Sequence, residues 1–281
     1  MTAVAEEVKT KTVTITFKVY RYNPDVDKAP HFKEYEVPVH KGMTILDALN
    51  YIHEKLDGTL AYRWSCRMGI CGSCGMIING VPRLACQTQV LELNTKTVEV
   101  RPLSNFPVEK DLIASFVDFF HKHKSVKPYI IRPDVSDTER LDEEYIQSPQ
   151  DHLVIYQFAL CIKCGLCYAA CPTAATDDAF LGPQALAQAY RYSRDTRDNG
   201  FDERLPVIDS SHGCWRCHYA GSCSTVCPRG LDPALAIQLL KKDIVATKLG
   251  FKPKKELSRL APPLKEGKRR PGVPEPPPPT V

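Results

Sequence analysis

Two runs of cysteine, each closed by proline, constrain this chain more than anything else in it. They are Cys161-Ile-Lys-Cys164-Gly-Leu-Cys167-Tyr-Ala-Ala-Cys171-Pro172 and Cys217-His-Tyr-Ala-Gly-Ser-Cys223-Ser-Thr-Val-Cys227-Pro228. The first reads C-x2-C-x2-C-x3-C-P, a spacing in which three thiolates hold one iron-sulfur cluster and the fourth crosses to another. With that crossing, Cys161, Cys164 and Cys167 take their fourth ligand from Cys227, and Cys171 joins the second run. A full repeat would carry a further thiol at position 220, where the chain has Ala220. Cys171, Cys217 and Cys223 then leave three thiolates, which suits a [3Fe-4S] centre beside a [4Fe-4S] one. Neither run is complete alone, so the fold has to bring them face to face.

A chain of 281 residues with 43% hydrophobic content has room for one large or two ordinary domains and a real core. Twelve cysteines at this length are too few for a disulfide scaffold, and metal or cluster ligation in a reducing compartment is the better reading. No apolar run approaches the roughly 18 residues that span a bilayer, and Met1 to Glu7 lacks a basic region followed by an apolar one. Neither a membrane span nor a secretion signal is expected. The net charge of +4 is local: residues 251–281 hold eight Lys or Arg against three Glu, leaving the rest near −1. There is no global field for nucleic acid.

Taken in order, the chain opens with strands. Val13, Ile15, Phe17 and Val19 alternate, as do Tyr35, Val37 and Val39, so both stretches read as half-buried strands forming a hairpin. Thr44 and Asp47 resemble a capping box before an amphipathic helix through Ile45, Leu49, Ile52 and Leu56. Strand, strand, helix is the opening of a β-grasp. Cys66, Cys71 and Cys74 follow, then the hairpin signal Asn79-Gly80 and Cys86. This is the C-x4-C-x2-C…C spacing of a plant-type [2Fe-2S] cluster, with Gly69, Gly72 and Gly75 letting the backbone fold tightly round it. Val98 to Val100 is expected to close the sheet as a last strand.

After Pro102 the pattern becomes helical. Helices are expected over Leu112–Phe120, Asp151–Ala159, Gly182–Arg194 and Pro233–Lys248, the third with proline in its first turn. His121 to Lys124 reads as a solvated helix end without function. Nine prolines from Phe251 onward preclude a packed domain there. The fold class is therefore α+β: a β-grasp plant-type ferredoxin domain over 1–105, a helical two-cluster domain like bacterial ferredoxins over 106–250, and a Pro-rich basic tail over 251–281.

One [2Fe-2S] loop followed by paired cassettes with a ligand missing resembles the iron-sulfur subunit of succinate dehydrogenase or fumarate reductase, the complex II family. Eleven ligand positions carry the resemblance, which covers about residues 10–250; Leu181-Gly182-Pro183 and Arg194 to Asp198 also look like that family. It implies an enzyme subunit that carries single electrons between FAD on a flavoprotein partner and quinone at membrane-anchor subunits. It also implies a peripheral position on the cytoplasmic face of the cell membrane. The chain agrees by omission, having no G-x-G-x-x-G after an expected strand.

The family's quinone site lies beside the three-iron cluster and matches Pro172, Thr173, His218 and Lys241. A cationic donor at Lys241 would stabilise negative charge forming on a quinone oxygen. Ubiquinone-linked members carry a tryptophan shortly after the position of Cys171, absent here, and the segment looks more like menaquinone-linked fumarate reductase. Cys214 is not required by the family pattern and reads as a buried thiol, the alternative being a ligand completing a second four-iron cluster.

Competing readings are zinc at the cysteine sets, another flavin-linked quinone-reducing dehydrogenase, and a freely diffusing multi-cluster ferredoxin. Trp64, Trp215 and the aromatic stripe near Phe116 read as packing, and Arg67 and Arg83 as either solvated or tuning the first cluster.

Overall fold

Alternation of apolar residues builds the first hairpin. In a computed structural model that describes residues 12–133, 144–251, 256–258 and 260–261, β1 (Val13–Arg21) and β2 (His31–Val39) pair antiparallel from Val13↔Val39 to Arg21↔His31. Phe17, Val19, Val37 and Val39 point into the core. α1 (Ile45–Tyr51) starts from the expected capping box, in which Thr44 and Asp47 satisfy each other's main-chain N–H groups. Its apolar face ends at Ile52, because the chain widens into a π-type turn over Ile52–Leu56 that leaves Leu56 exposed.

β3 (Gly75–Ile78) and β4 (Val81–Leu84) are joined by Asn79 and Gly80, both left-handed at φ +47° and +78°, as a type I′ turn requires. β5 (Thr97–Arg101) is not the closing strand that its position in the sequence implied. The sheet order is β2-β1-β5-β3-β4, with β5 central, parallel to β1 and antiparallel to β3. There Val98 and Val100 are both fully buried.

The helix expected from Leu112 begins later. β6 (Val108–Lys110) and β7 (Ile113–Ala114) form a small hairpin, and α2 (Val117–Ser125) follows. The cause is Asp111, held at φ +46°, whose buried carboxylate accepts from Arg21 Nε at 3.0 Å, Tyr22 N at 2.9 Å and Ala61 N at 2.9 Å. Those bonds fix a turn where the apolar pattern suggested a helix. Asp111→Ala is expected to lower stability by about 1–3 kcal/mol, because it leaves Arg21 Nε and two main-chain N–H groups without their acceptor, while the guanidinium keeps its ion pair with Asp57 at 2.8 Å. Equilibrium denaturant unfolding of the variant checks this.

The second half is helical, apart from one strand pair. β8 (Glu144–Tyr145) precedes α3 (Pro149–Ala159), α4 (Leu166–Ala169), α5 (Pro172–Thr176), α6 (Gly182–Arg194), α7 (Phe201–Ile208), α8 (Ser222–Thr225) and α9 (Pro233–Lys248). α6 is the central post, buried from Gly182 through Tyr190. The segment after it is a buried ionic hub. Asp195 pairs with Arg191 and Arg197, while Asp198 pairs with the fully buried Arg204 at 2.8 Å and takes Ile131 N at 2.9 Å. This is what the Arg194 to Asp198 segment does: it ties α6 to α7 and to the strap near Ile131.

Part of the tail is also tied down. Ser258 N donates to Thr196 O at 2.8 Å, and β9 (Leu260–Ala261) pairs with β8. Readings for residues 1–11 and 262–281 lie outside the described residues. The buried apolar side chains of both halves form one contiguous core. Among the described residues no helix is long and apolar enough to cross a membrane.

Candidate metal centres

The first cysteine set sits on a loop whose amides turn inward. Cys66 Sγ accepts from Met68 N at 3.4 Å, Ile70 N at 3.3 Å and Cys71 N at 3.3 Å. These N–H groups, from Met68, Cys71 and Ile70, pull the Cys66 thiol down to about 6. Cys74 accepts from Cys86 N at 3.5 Å, bringing the fourth cysteine, on the far side of the β3–β4 hairpin, back to the loop. Burial pushes Cys74 up to about 12. Gly69 and Gly72 are left-handed, as a tight loop needs; Gly75 instead begins β3.

The two cassettes meet as the crossing requires. Cys161, Cys164, Cys167 and Cys227 line one cavity, and Cys171, Cys217 and Cys223 line a second together with Ala220. The left-handed Gly165 and Gly221 each start the short helix, α4 or α8, that follows the turn of its cassette. Burial holds Cys161 and Cys171 above the usual thiol range, pushes Cys164 and Cys223 up to about 11, and raises Cys167 furthest inside the protein. As free thiols these groups stay neutral near pH 7; the positive charge of bound iron is what draws out a thiolate.

The donor sets fit clusters. All twelve cysteines are free. Among the described residues no three His, Cys, Asp or Glu converge to hold a single ion. Thiols spread round a cavity suit a multi-iron cage better than a zinc tetrahedron.

The first loop and the first cassette touch. A Cβ placed on Gly72 would lie 2.6 Å from Cys164 Cβ and 2.9 Å from its Cα, and one on Gly75 would meet Leu166 and Cys164 O at 3.2 and 3.3 Å. Two loops that carry candidate ligands are therefore packed backbone to side chain. Asn105 reinforces the second half of the site by donating to the carbonyls of Tyr168, Ala169 and Cys171, the stretch between the two cavities.

Of the residues matched to a quinone site, Pro172, Thr173 and His218 line the cavity shared by Cys171, Cys217 and Cys223. Lys241 is not among its lining; its ammonium donates to the Cys217 carbonyl at 2.9 Å and braces the loop from outside. Cys214 is fully buried, is pushed up to about 12 by burial, and lines neither cavity. Trp64 and Trp215 are half-exposed, and Arg67 stacks on Trp64 at 4.4 Å.

The His-Lys run is a correction to the sequence reading. Lys122 is buried, with its ammonium on Tyr168 Oη at 2.8 Å, on Asp118 at 2.7 Å and on the Asp178 carbonyl. His123 reaches Gln184 at 3.1 Å. Gln184 itself was missed; the available signal was a polar residue on the buried face of α6, two places after Gly182.

Comparison with known proteins agrees with this layout. Residues 16–121 match the family described as a 2Fe-2S iron-sulfur cluster binding domain, and residues 157–231 a 4Fe-4S dicluster domain. A fumarate reductase iron-sulfur subunit from Mycobacterium tuberculosis is 49% identical over 81% of this chain and 91% of its own length. A succinate dehydrogenase iron-sulfur subunit from Coxiella burnetii is 37% identical over 82% of this chain and 97% of its own. Among solved structures, a chain of the Mycobacterium smegmatis Sdh1 complex in the apo form superposes with a TM-score of 0.75 at 26% identity, covering 85% of this chain and 98% of that one.

Proposed function

This chain belongs to the iron-sulfur subunits of the succinate dehydrogenase and fumarate reductase family, and we propose that it carries single electrons between FAD on a flavoprotein partner and quinone at membrane-anchor subunits. The observation that carries the reading is the pair of cavities, each lined by thiols from both cassettes. Bound [2Fe-2S], [4Fe-4S] and [3Fe-4S] clusters would supply the one-electron steps that connect a two-electron flavin to a quinone.

The chain's own residues do the rest. Cys66, Cys71, Cys74 and Cys86 would hold the first cluster, Cys161, Cys164, Cys167 and Cys227 the second, and Cys171, Cys217 and Cys223 the third. The N–H groups around Cys66 favour the more negative, reduced state of what that thiolate holds. Close packing of Gly72 on Cys164 keeps the first and second ligand loops in contact. Pro172, Thr173 and His218 would separate the third cluster from quinone, His218 offering a ring N–H to a quinone oxygen. Lys241 would act by holding Cys217 and, through it, its neighbour His218.

Menaquinone is the proposed quinone, on the absence of a tryptophan after Cys171. The proposed position is peripheral, on the cytoplasmic face of the cell membrane, and the proposed division is 1–105, 106–250 and 251–281. Purification of the native complex tests all of this. A co-purifying flavoprotein, succinate- or fumarate-linked activity with menaquinone, and about nine irons in this chain are the expected result. A chain isolated alone with far fewer irons overturns it, and ubiquinone as the only quinone in the source membranes overturns the menaquinone assignment.

A further inference from the structure

The closing turn of α2 reaches the wall of the cavity lined by Cys161, Cys164, Cys167 and Cys227 through one side chain of α6. Gln184 is 2% exposed and lines that cavity beside Cys161. Its amide nitrogen lies 4.0 Å from Cys161 Sγ and 3.1 Å from His123 Nδ1. Its carbonyl oxygen is buried with no hydrogen-bond partner among the described residues.

That orphaned oxygen fixes the argument. A buried amide that leaves its acceptor unmatched loses free energy, and it would turn over unless its donor end gained more. Both neighbours of the nitrogen are acceptors, a cluster-bound thiolate and an imidazole lone pair, and an amide has two N–H groups to give. Turned the other way, the carbonyl would face a thiolate, which repels it. Burial and the nearby Lys163 keep the His123 imidazole below its usual range, so it stays neutral and its Nδ1 is free to accept.

We propose that Gln184 is a positioning residue that raises the reduction potential of the four-iron cluster by donating an N–H to Cys161, and that His123 holds the amide in that orientation. The inference rests on the assignment of a [4Fe-4S] cluster to this cavity. Hydrogen bonds to cluster sulfur stabilise the reduced, more negative state, so losing one makes reduction harder. A charge-assisted hydrogen bond is worth roughly a factor of ten in such an equilibrium.

The test is redox potentiometry, followed by EPR, on the purified native complex and on Gln184→Leu. At a fixed ambient potential the reduced-to-oxidised ratio of the four-iron cluster is expected to fall about tenfold in the variant, equivalent to a midpoint lower by about 59 mV for a one-electron couple. The midpoints of the other clusters should hold. His123→Phe, which removes only the restraint, should move the same midpoint in the same direction by less, and it serves alone if Gln184→Leu loses iron. An unchanged four-iron midpoint in iron-replete variants overturns the proposal while leaving the cluster assignment intact. Absence of a four-iron signal from the reduced wild-type complex overturns the assignment itself, and the proposal with it.

Discussion

Ala220→Cys is expected to convert the proposed three-iron centre into a four-iron one. Ala220 lines the cavity shared by Cys171, Cys217 and Cys223, between Tyr219 at φ +60° and Gly221 at φ +76°. The loop is thus already wound into the turn that a fourth ligand needs, and the substitution adds only the sulfur. Iron per chain should rise from about nine to about ten, and the EPR signal of an oxidised three-iron centre should disappear. The potential of the centre should fall by on the order of 100 mV or more, since the added thiolate makes the site more negative. Electron delivery to quinone should then slow although the complex stays assembled. An unchanged three-iron signal in a folded variant would sink the assignment of this loop.

Gly72→Ala should break the wire at its first junction. The added methyl would sit 2.6 Å from Cys164 Cβ and 2.9 Å from Cys164 Cα, and neither of those atoms belongs to a flexible end that can swing aside. The position is also left-handed at φ +76°. Strain and overpacking together are worth about 2–5 kcal/mol, which the chain can relieve only by moving the two ligand loops apart. Electron transfer falls exponentially with separation, so moving the loops apart slows the step between the groups they hold.

Freeze-quench EPR after addition of succinate reads this directly. The first cluster should still reduce at its normal rate, while reduction of the third lags behind wild type. Gly80→Ala is the matching control, with φ +78° but nothing within 4 Å of an added Cβ. It carries the backbone strain without the collision, so an equal lag in both variants would show that the contact with Cys164 does not matter.

Much of the candidate site was legible before any coordinates. The partition of eleven cysteines into sets of four, four and three followed from spacing, and the structure groups the two cassettes in that way. The hairpin at Asn79-Gly80, the capping box at Thr44 and the span of α6 were legible for a similar reason: each is set by groups within a few residues of one another. Where local pattern met a distant partner, it failed. Asp111 turned an expected helix into a hairpin because Arg21 and Ala61 supply its donors, and β5 moved to the middle of the sheet because β1 and β3 both needed a neighbour.

The sequence by itself determined which thiols come together and how they divide, since thiol chemistry and short spacings are written locally along the chain. Only the tertiary structure decided what those sulfurs face. The contact of Gly72 with Cys164, the reach of His123 to Gln184, and the buried ammonium of Lys122 on Tyr168 each join residues dozens of positions apart. No periodicity encodes such a meeting; it comes from packing two halves into one core, where a polar group excluded from water must find its partner wherever the fold provides one.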